Sequence, residues 1–391
     1  MNSRICRKWL LLANPYIYIR QNNEFIGLAN KGHFYDMDVK DIYDEINNML
    51  PPQLEKAKLV IDNLIDNKNS RRLTNIDYQI RYKNIVCVKC GSTNLKKNGH
   101  KCGTQRYKCK DCNKYFSITS KTILNNSRIK YSQLKCVIKG ILDIKPIYKI
   151  ALESQLSKTQ IYNLEMRIFS IIDDIYKNEK LREIIQIDEK YFRISFKGTK
   201  REKMPRPSRK SGSNDLTSGI SKDQICVIVA IDSYDTIIIK VVGNGPASTE
   251  MIEETLKNKI EAGSIIVTDS KSSYIRFAKN NNFQLKQIPA SGHNVEGIYN
   301  LGELNSLMSE IETYITHEKR GVSTKHLQQH LNFIKYKKYL KYTFEYLEHN
   351  EEMLKEIVIN NNDIKCNNIS KIELPFDLEE YKKWYDKYHT D

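Results

Sequence analysis

Four cysteines constrain this chain more than any other feature. Cys87-x-x-Cys90 and Cys109-x-x-Cys112 are separated by eighteen residues. Two such knuckles bring four thiolates to one tetrahedral Zn2+, and the metal holds together a segment too short to bury a core of its own. The same stretch is strongly basic. Arg81 to Lys121 holds eleven Lys or Arg against a single acid, Asp111, and supplies +10 of the chain's net +16. A metal-stapled basic finger points to nucleic acid as the partner.

The remaining cysteines, Cys6, Cys102, Cys136, Cys226 and Cys366, follow no pairing pattern. That usage fits a reducing cytoplasm and metal-bound thiols, not a secreted disulfide frame. The apolar run Trp9 to Ala13 is too short for a signal peptide and stops at Pro15. No stretch approaches the roughly 18 apolar residues of a membrane span. A cytoplasmic, nucleoid-associated protein is expected. Frequent Asn, Ile, Lys and Tyr suggest AT-rich coding DNA and a bacterial source.

At 391 residues the chain has room for two or three domains. The expected fold class is multidomain α+β. Residues 1–80 read as a helical N-terminal segment, through Ile42, Ile46 and Leu50 and again Leu54, Leu59 and Leu64. A zinc ribbon of short hairpins follows at 81–121. A helix-turn-helix region is expected at 122–180, a mixed α/β catalytic domain at 181–340, and a helical tail at 341–391. Within the third region, Ser157-Lys-Thr-Gln160 has the S-x-x-Q form of a capping box. It opens a helix carrying Ile161, Leu164 and Ile168, with an earlier helix starting at Pro146. A tight turn around Ser154–Leu156 would leave Lys158, Gln160, Asn163 and Arg167 facing DNA. The alternative is an ordinary pair of packed helices.

Two aspartates carry the chemistry. Ile184 to Phe192 reads as a strand with Asp188 inside it, and alternation puts Gln186, Asp188 and Lys190 on one face, with Glu189 on the other. Cys226 to Asp232 and Thr236 to Val242 read as a hairpin, Ser248 to Ala262 as a helix, and Ile265 to Asp269 as a strand ending in Asp. That order matches a ribonuclease-H-like layout, in which adjacent strands bring two carboxylates to one edge. Such a pair can hold two Mg2+ roughly 4 Å apart, one activating the attacking oxygen and one stabilising the leaving oxygen. Glu189 is expected to be structural, and Asp232 to serve its turn.

Several blocks in register, IDEKYF, KMPRPSRKSGS, GISKDQICVIVAID, VTDSKSSYIRF, GIYN-LGELNS and GVSTKHL, resemble one family. It is the zinc-ribbon DDE-type insertion-sequence transposases of the IS-fifteen-ninety-five branch, with an ISXO-two-like transposase domain. The resemblance covers about residues 82–335. It implies a DNA transposase that binds terminal inverted repeats and catalyses strand cleavage and transfer with Mg2+ or Mn2+. Its partners would be double-stranded element ends and target, bound by a homo-oligomer. Asp188 and Asp269 fall on the family's first two metal-binding positions and Asn305 on the third. The family usually carries Lys at position 312 and His at 303, whereas this chain has Glu at both. Two rivals remain: a non-catalytic zinc-dependent DNA-binding protein, as a decayed or domesticated copy, and a structure-selective nuclease.

Lys197 to Lys210 carries seven Lys or Arg against Glu202. Directly after the first catalytic strand, this segment reads as a mobile basic arm, with Arg206, Arg209 and Lys210 on the DNA backbone.

Overall fold

In the computed structural model, the described residues are 17–19, 26–30, 33–37, 47–50, 54, 85–101, 104–117, 119–125, 127, 129–175, 179–207, 219–289, 299–344, 349–359, 369 and 371–389. The chain separates into two units, residues 1–120 with 126–136, and 121–125 with 137–391.

The first unit begins with three antiparallel strands, β1 (Ile17–Ile19), β2 (Ile26–Asn30) and β3 (His33–Met37). Over residues 17–37, strands stand where the expectation was helical. Only Lys31 and Gly32 separate β2 from β3 in sequence, the length of a tight hairpin. The helical spacing at Ile42, Ile46, Leu59 and Leu64 lies outside the described residues; Leu54 N–H bonds to the Leu50 carbonyl at 3.0 Å, one turn of α-type geometry. A second antiparallel sheet joins β4 (Leu95–Lys101), β5 (Thr104–Cys109) and β6 (Tyr115–Ser117).

Helix α1 (Tyr131–Leu142) leads into the second unit, where α2 (Ile147–Ser154) and α3 (Lys158–Ile175) follow. Gln155, left-handed at φ 56°, turns the chain sharply between α2 and α3. The capping box is reciprocal: Ser157 N–H donates to Gln160 Oε1 at 2.9 Å and Gln160 N–H to Ser157 Oγ at 3.2 Å.

A five-stranded mixed sheet forms the centre of this unit. Its strands are β7 (Ile184–Arg193), β8 (Gln224–Asp232), β9 (Ile237–Asn244), β10 (Ile265–Thr268) and β11 (Gln284–Gln287), in the order β11-β10-β7-β8-β9. β7, β8 and β9 are an antiparallel meander, while β10 and β11 run parallel to β7. The crossover into β10 runs through α4 (Thr249–Leu256), capped by Ser248 Oγ, which accepts the Met251 N–H. Helix α5 (Ser272–Asn281) connects β10 to β11. One face of the sheet buries Ile185, Ile187, Cys226, Ile228 and Ala230 against Ile252, Leu256, Tyr274 and Phe277 of α4 and α5. The other face is covered by α6 (Gly302–Glu312), which continues as a π-helical segment at Thr313–Glu318, and by α7 (Leu327–Thr343). Coverage on both faces explains why β8 is an unbroken apolar run and does not alternate. Helices α8 (His349–Ile359) and α9 (Leu378–His389) complete the chain.

Candidate metal centres and DNA-facing surface

In the ribbon, β5 and the loops flanking the sheet bring the four cysteines together, with all four Sγ atoms within 4.8 Å of one another. Cys87 Sγ lies 3.5 Å from Cys112 Sγ, and Cys90 Sγ 3.6 Å from Cys109 Sγ. Zn–S bonds of about 2.3 Å put tetrahedral sulfurs about 3.8 Å apart, so the set fits one Zn2+. Burial opposes ionisation of Cys87, yet the backbone N–H groups of Cys90 and Lys89 bring its thiol down to about 6. At Cys90 the Ser92 N–H favours the thiolate, but Cys112, burial, Cys87 and Cys109 together outweigh it and the value rises to about 12. Sulfurs this close share protons, and a bound cation removes that conflict.

Among the described residues, the ribbon's buried core is Cys87, Tyr107, Cys109 and Phe116, with Ile85, Val88, Leu95 and Cys112 packed against it and the two rings stacked at 5.7 Å. Its single acid is structural. Asp111 accepts from Asn94 Nδ2 at 3.0 Å and from Ser92 Oγ, which ties the second knuckle to the first.

The second centre sits on the sheet. The β10–β7 register pairs Ile265 with Ile184, Ile266 with Ile185 and Val267 with Gln186. Continued two residues further, past the end of β10 at Thr268, that register brings Asp269 level with Asp188, across a strand spacing of about 4.8 Å. The two carboxylates feel each other. Burial pushes the Asp188 carboxyl up to about 6, opposed by the Glu189 N–H bonded to Oδ1 at 2.7 Å and reinforced by the charges of Glu189 and Asp269. Asp269 Oδ1 accepts the Lys271 N–H at 3.2 Å as the chain turns into α5.

Helix α6 is fixed to the same face of β7 at two points. Gln186 Oε1 accepts the buried Leu304 N–H at 3.0 Å, and Lys190 Nζ pairs with Glu312. Asp188 lies between these anchors, roughly 7 Å along the strand from either. Asn305, next to the first anchor, is exposed, while Leu304, Leu307, Met308 and Ile311 are buried. The side-chain oxygens of two aspartates and an asparagine are donors of the kind Mg2+ or Mn2+ accepts. The Lys190 contact also sets a cation from β7 against the acid at position 312.

Opposite Asp188, Glu189 is 3% exposed and pairs with Lys271 Nζ at 2.7 Å; Lys271 also reaches the Tyr191 hydroxyl at 3.3 Å. Asp232 is buried and accepts three backbone N–H groups, from Arg182 at 3.0 Å and from Tyr234 and Thr236 at 2.9 Å. Glu189 and Asp232 hold the fold. Gln186, Lys190 and Lys271 escaped the sequence reading. Alternation placed Gln186 and Lys190 on the right face, but nothing local named their partners.

The residues expected to face DNA divide. Lys158 is exposed and Asn163 half-buried on α3, and Gln160 is exposed with its amide oxygen used in the cap. Arg167 is half-buried and donates through Nη2 to the Ile123 carbonyl at 3.0 Å. Arg206 requires a correction. Its guanidinium is buried, with Nε on the Tyr381 hydroxyl at 3.1 Å, Nη2 on the Ile194 carbonyl at 3.1 Å and Nη1 on the Pro207 carbonyl at 3.0 Å. Tyr381 in turn donates to Asp223 at 2.8 Å. Arg206 therefore anchors α9 and does not reach DNA. Arg209 and Lys210 lie outside the described residues. Among the described residues no helix is long and apolar enough to cross a membrane.

These observations define a mixed α/β domain whose adjacent parallel strands β7 and β10 carry Asp188 and lead into Asp269, in a chain that also carries a four-cysteine ribbon. Residues 180–338 match the family described as the ISXO2-like transposase domain. An uncharacterized protein in transposable element ISH50 of Halobacterium salinarum is 24% identical over 267 residues, spanning 67% of this chain and 88% of the relative. Among solved structures, a pre-cleavage Mos1 transpososome aligns at 12% identity and TM-score 0.22, over 58% of this chain and 78% of that one. A Mos1 mariner paired end complex with Mn aligns at 10% identity and TM-score 0.18, over 58% and 79%. At these TM-scores neither structure bears on the chemistry.

Proposed function

We infer that this chain is the transposase of an insertion sequence. It binds the element's terminal inverted repeats as double-stranded DNA and cuts and joins strands with Mg2+ or Mn2+ at Asp188, Asp269 and Asn305. The observation that supports this reading is the β10–β7 register, whose continuation brings Asp269 level with Asp188, together with the Asp269 charge felt at the Asp188 carboxyl. The order β11-β10-β7-β8-β9, with three antiparallel and two parallel strands, supports a ribonuclease-H-like core.

Bound divalent ions supply a Lewis acid for the scissile phosphate and lower the pKa of an attacking water or 3′-hydroxyl. The protein's part is to hold the donors. β7 and β10 fix the two carboxylates, the Gln186–Leu304 bond fixes the start of α6 with Asn305, and Glu189 keeps the Lys271 ammonium on the opposite face, away from the metal ligands. The zinc ribbon and the α2–α3 pair supply recognition, with Lys158 and Asn163 offered by α3 and with Arg209 and Lys210 in the basic arm. Concerted joining needs two ends together, which implies a homo-oligomer on DNA.

Product analysis tests the reading. Purified protein, Mg2+ and DNA carrying the element's ends should yield strands joined to target. Free nicks alone would indicate a nuclease, and bound but intact DNA a non-catalytic binder.

A further inference from the structure

A cleft of about 1130 Å3 opens between α2, α3, the chain following β7 and the loop after the π-helical segment. It is larger than the 300–1,000 Å3 of a typical small-molecule site. Six Lys or Arg line it against two acids, Glu165 and Glu318. Glu165 is already spent on the cleft floor, paired with Lys319 at 2.5 Å with a side chain only 3% exposed. Lys203 and Arg320 are exposed at the rim. Two tyrosines project into this basic surface: Tyr148 of α2 is 57% exposed and Tyr162 of α3 38%. Tyr162 meets the His326 ring edge-on at 6.3 Å, and both tyrosines still leave ring surface open to the cleft.

We propose that this cleft binds an unpaired stretch of DNA strand, with its bases stacked on Tyr148 and Tyr162 and its phosphates on Lys203 and Arg320. A duplex hides its base faces within its own stack, so only an unpaired strand can use exposed rings as platforms. The cleft also continues toward the paired aspartates. Phe196 to Thr199, Gly321 and Val322 line both this cleft and an adjoining cavity bounded by Arg193, Glu312 and Thr316. Glu312 of that cavity pairs with Lys190, which lies two residues along β7 from Asp188 on the same face. A strand separated near the cut would thus lead from the aspartate face into the cleft. The proposal deepens the transposase reading and rests on it for the source of the strand.

Fluorescence anisotropy on the full-length protein, without added divalent ions, tests it. The probes are a blunt duplex and the same duplex ending in a few unpaired thymidines on either strand. A flanked duplex is expected to bind more tightly, by between about 5- and 150-fold per stacked base. Tyr148→Ala and Tyr162→Ala should each remove part of that advantage while blunt-duplex affinity stays put, and Tyr148→Phe should keep it. Lys203→Gln with Arg320→Gln should reduce the salt dependence of binding to the flanked probe. Equal wild-type affinity for both probes, or an advantage that survives both alanine variants, overturns the proposal alone. Failure to bind either probe overturns the transposase reading with it.

Discussion

Gln186 Oε1 accepts the backbone N–H of Leu304 at 3.0 Å, a buried bond between the strand that carries Asp188 and the first turn of the helix that carries Asn305. Leu304 N–H is one of the donors a helix cannot satisfy internally at its N-terminus, so Gln186 acts as a tertiary cap. Removing the acceptor strands a buried donor. Gln186→Ala should cost about 1–3 kcal/mol in urea unfolding and reduce metal-dependent cleavage in protein that remains folded. An unchanged unfolding midpoint would show that the bond does not fix α6.

Lys190 and Glu312 are partly exposed, at 25% and 51% of their side chains, so their pairing is worth only about 0–1 kcal/mol to stability. Its weight is electrostatic. Glu312→Gln should release the Lys190 ammonium toward the DNA path, tighten binding, and steepen the dependence of log affinity on log salt by about 0.9 per extra phosphate contact. A salt titration of end-DNA binding reads this directly. A shallower slope would contradict it.

Divalent metal needs Asp188 ionised, and its carboxyl sits at about 6, pushed up mainly by burial. Because the folded value lies above the unfolded one, Asp188 favours the folded state most when protonated, below about pH 4. That contribution is lost as pH rises through about 6. Mg2+ reverses the preference by binding the carboxylate. Mg2+ should therefore raise the melting temperature above pH 6 and lose that effect as pH falls below it, whereas Asp188→Asn should abolish the pH-dependent part. Differential scanning calorimetry in a pH series with and without Mg2+ measures this.

Zinc removal should unfold the ribbon but spare the central sheet, since four small-core residues cannot hold three strands alone. One Zn2+ per chain is expected by atomic absorption. A chelator, or Cys109→Ser, should weaken DNA binding and leave the cooperative unfolding of the second unit in place. Zinc-free protein with full DNA affinity would sink this assignment.

Arg206 now belongs to the core. With Arg206 and Asp223 side chains each 5% exposed, Arg206→Ala leaves buried polar groups without their partner, at a cost of about 3–5 kcal/mol. Chemical denaturation should show that loss. A soluble variant of native stability but reduced salt dependence of DNA binding would restore the original reading of this residue.

The parts of this account legible in sequence are those set by local spacing. The knuckles announce themselves because a C-x-x-C turn is local. The strand order emerges from β-branched runs, and the α3 cap from a four-residue motif. What stayed hidden is long-range pairing: Gln186 with Leu304 across 118 residues, Lys190 with Glu312 across 122, Arg206 with Tyr381 across 175. Charge density alone made Arg206 look solvated, because its hydroxyl partner comes from the far end of the chain. The N-terminal sheet was missed for another reason. Its strands are three to five residues long, and the longer helical spacing after residue 40 outweighed them.

The central claim is that Asp188 and Asp269 act as one divalent-metal cradle. Mn2+ titration followed by electron paramagnetic resonance, on zinc-loaded protein bound to end DNA, tests it most directly. The account predicts that Asp188→Asn and Asp269→Asn each abolish the same tight Mn2+ signal, and that the double variant loses nothing further. Tight Mn2+ binding retained by either single variant would contradict it.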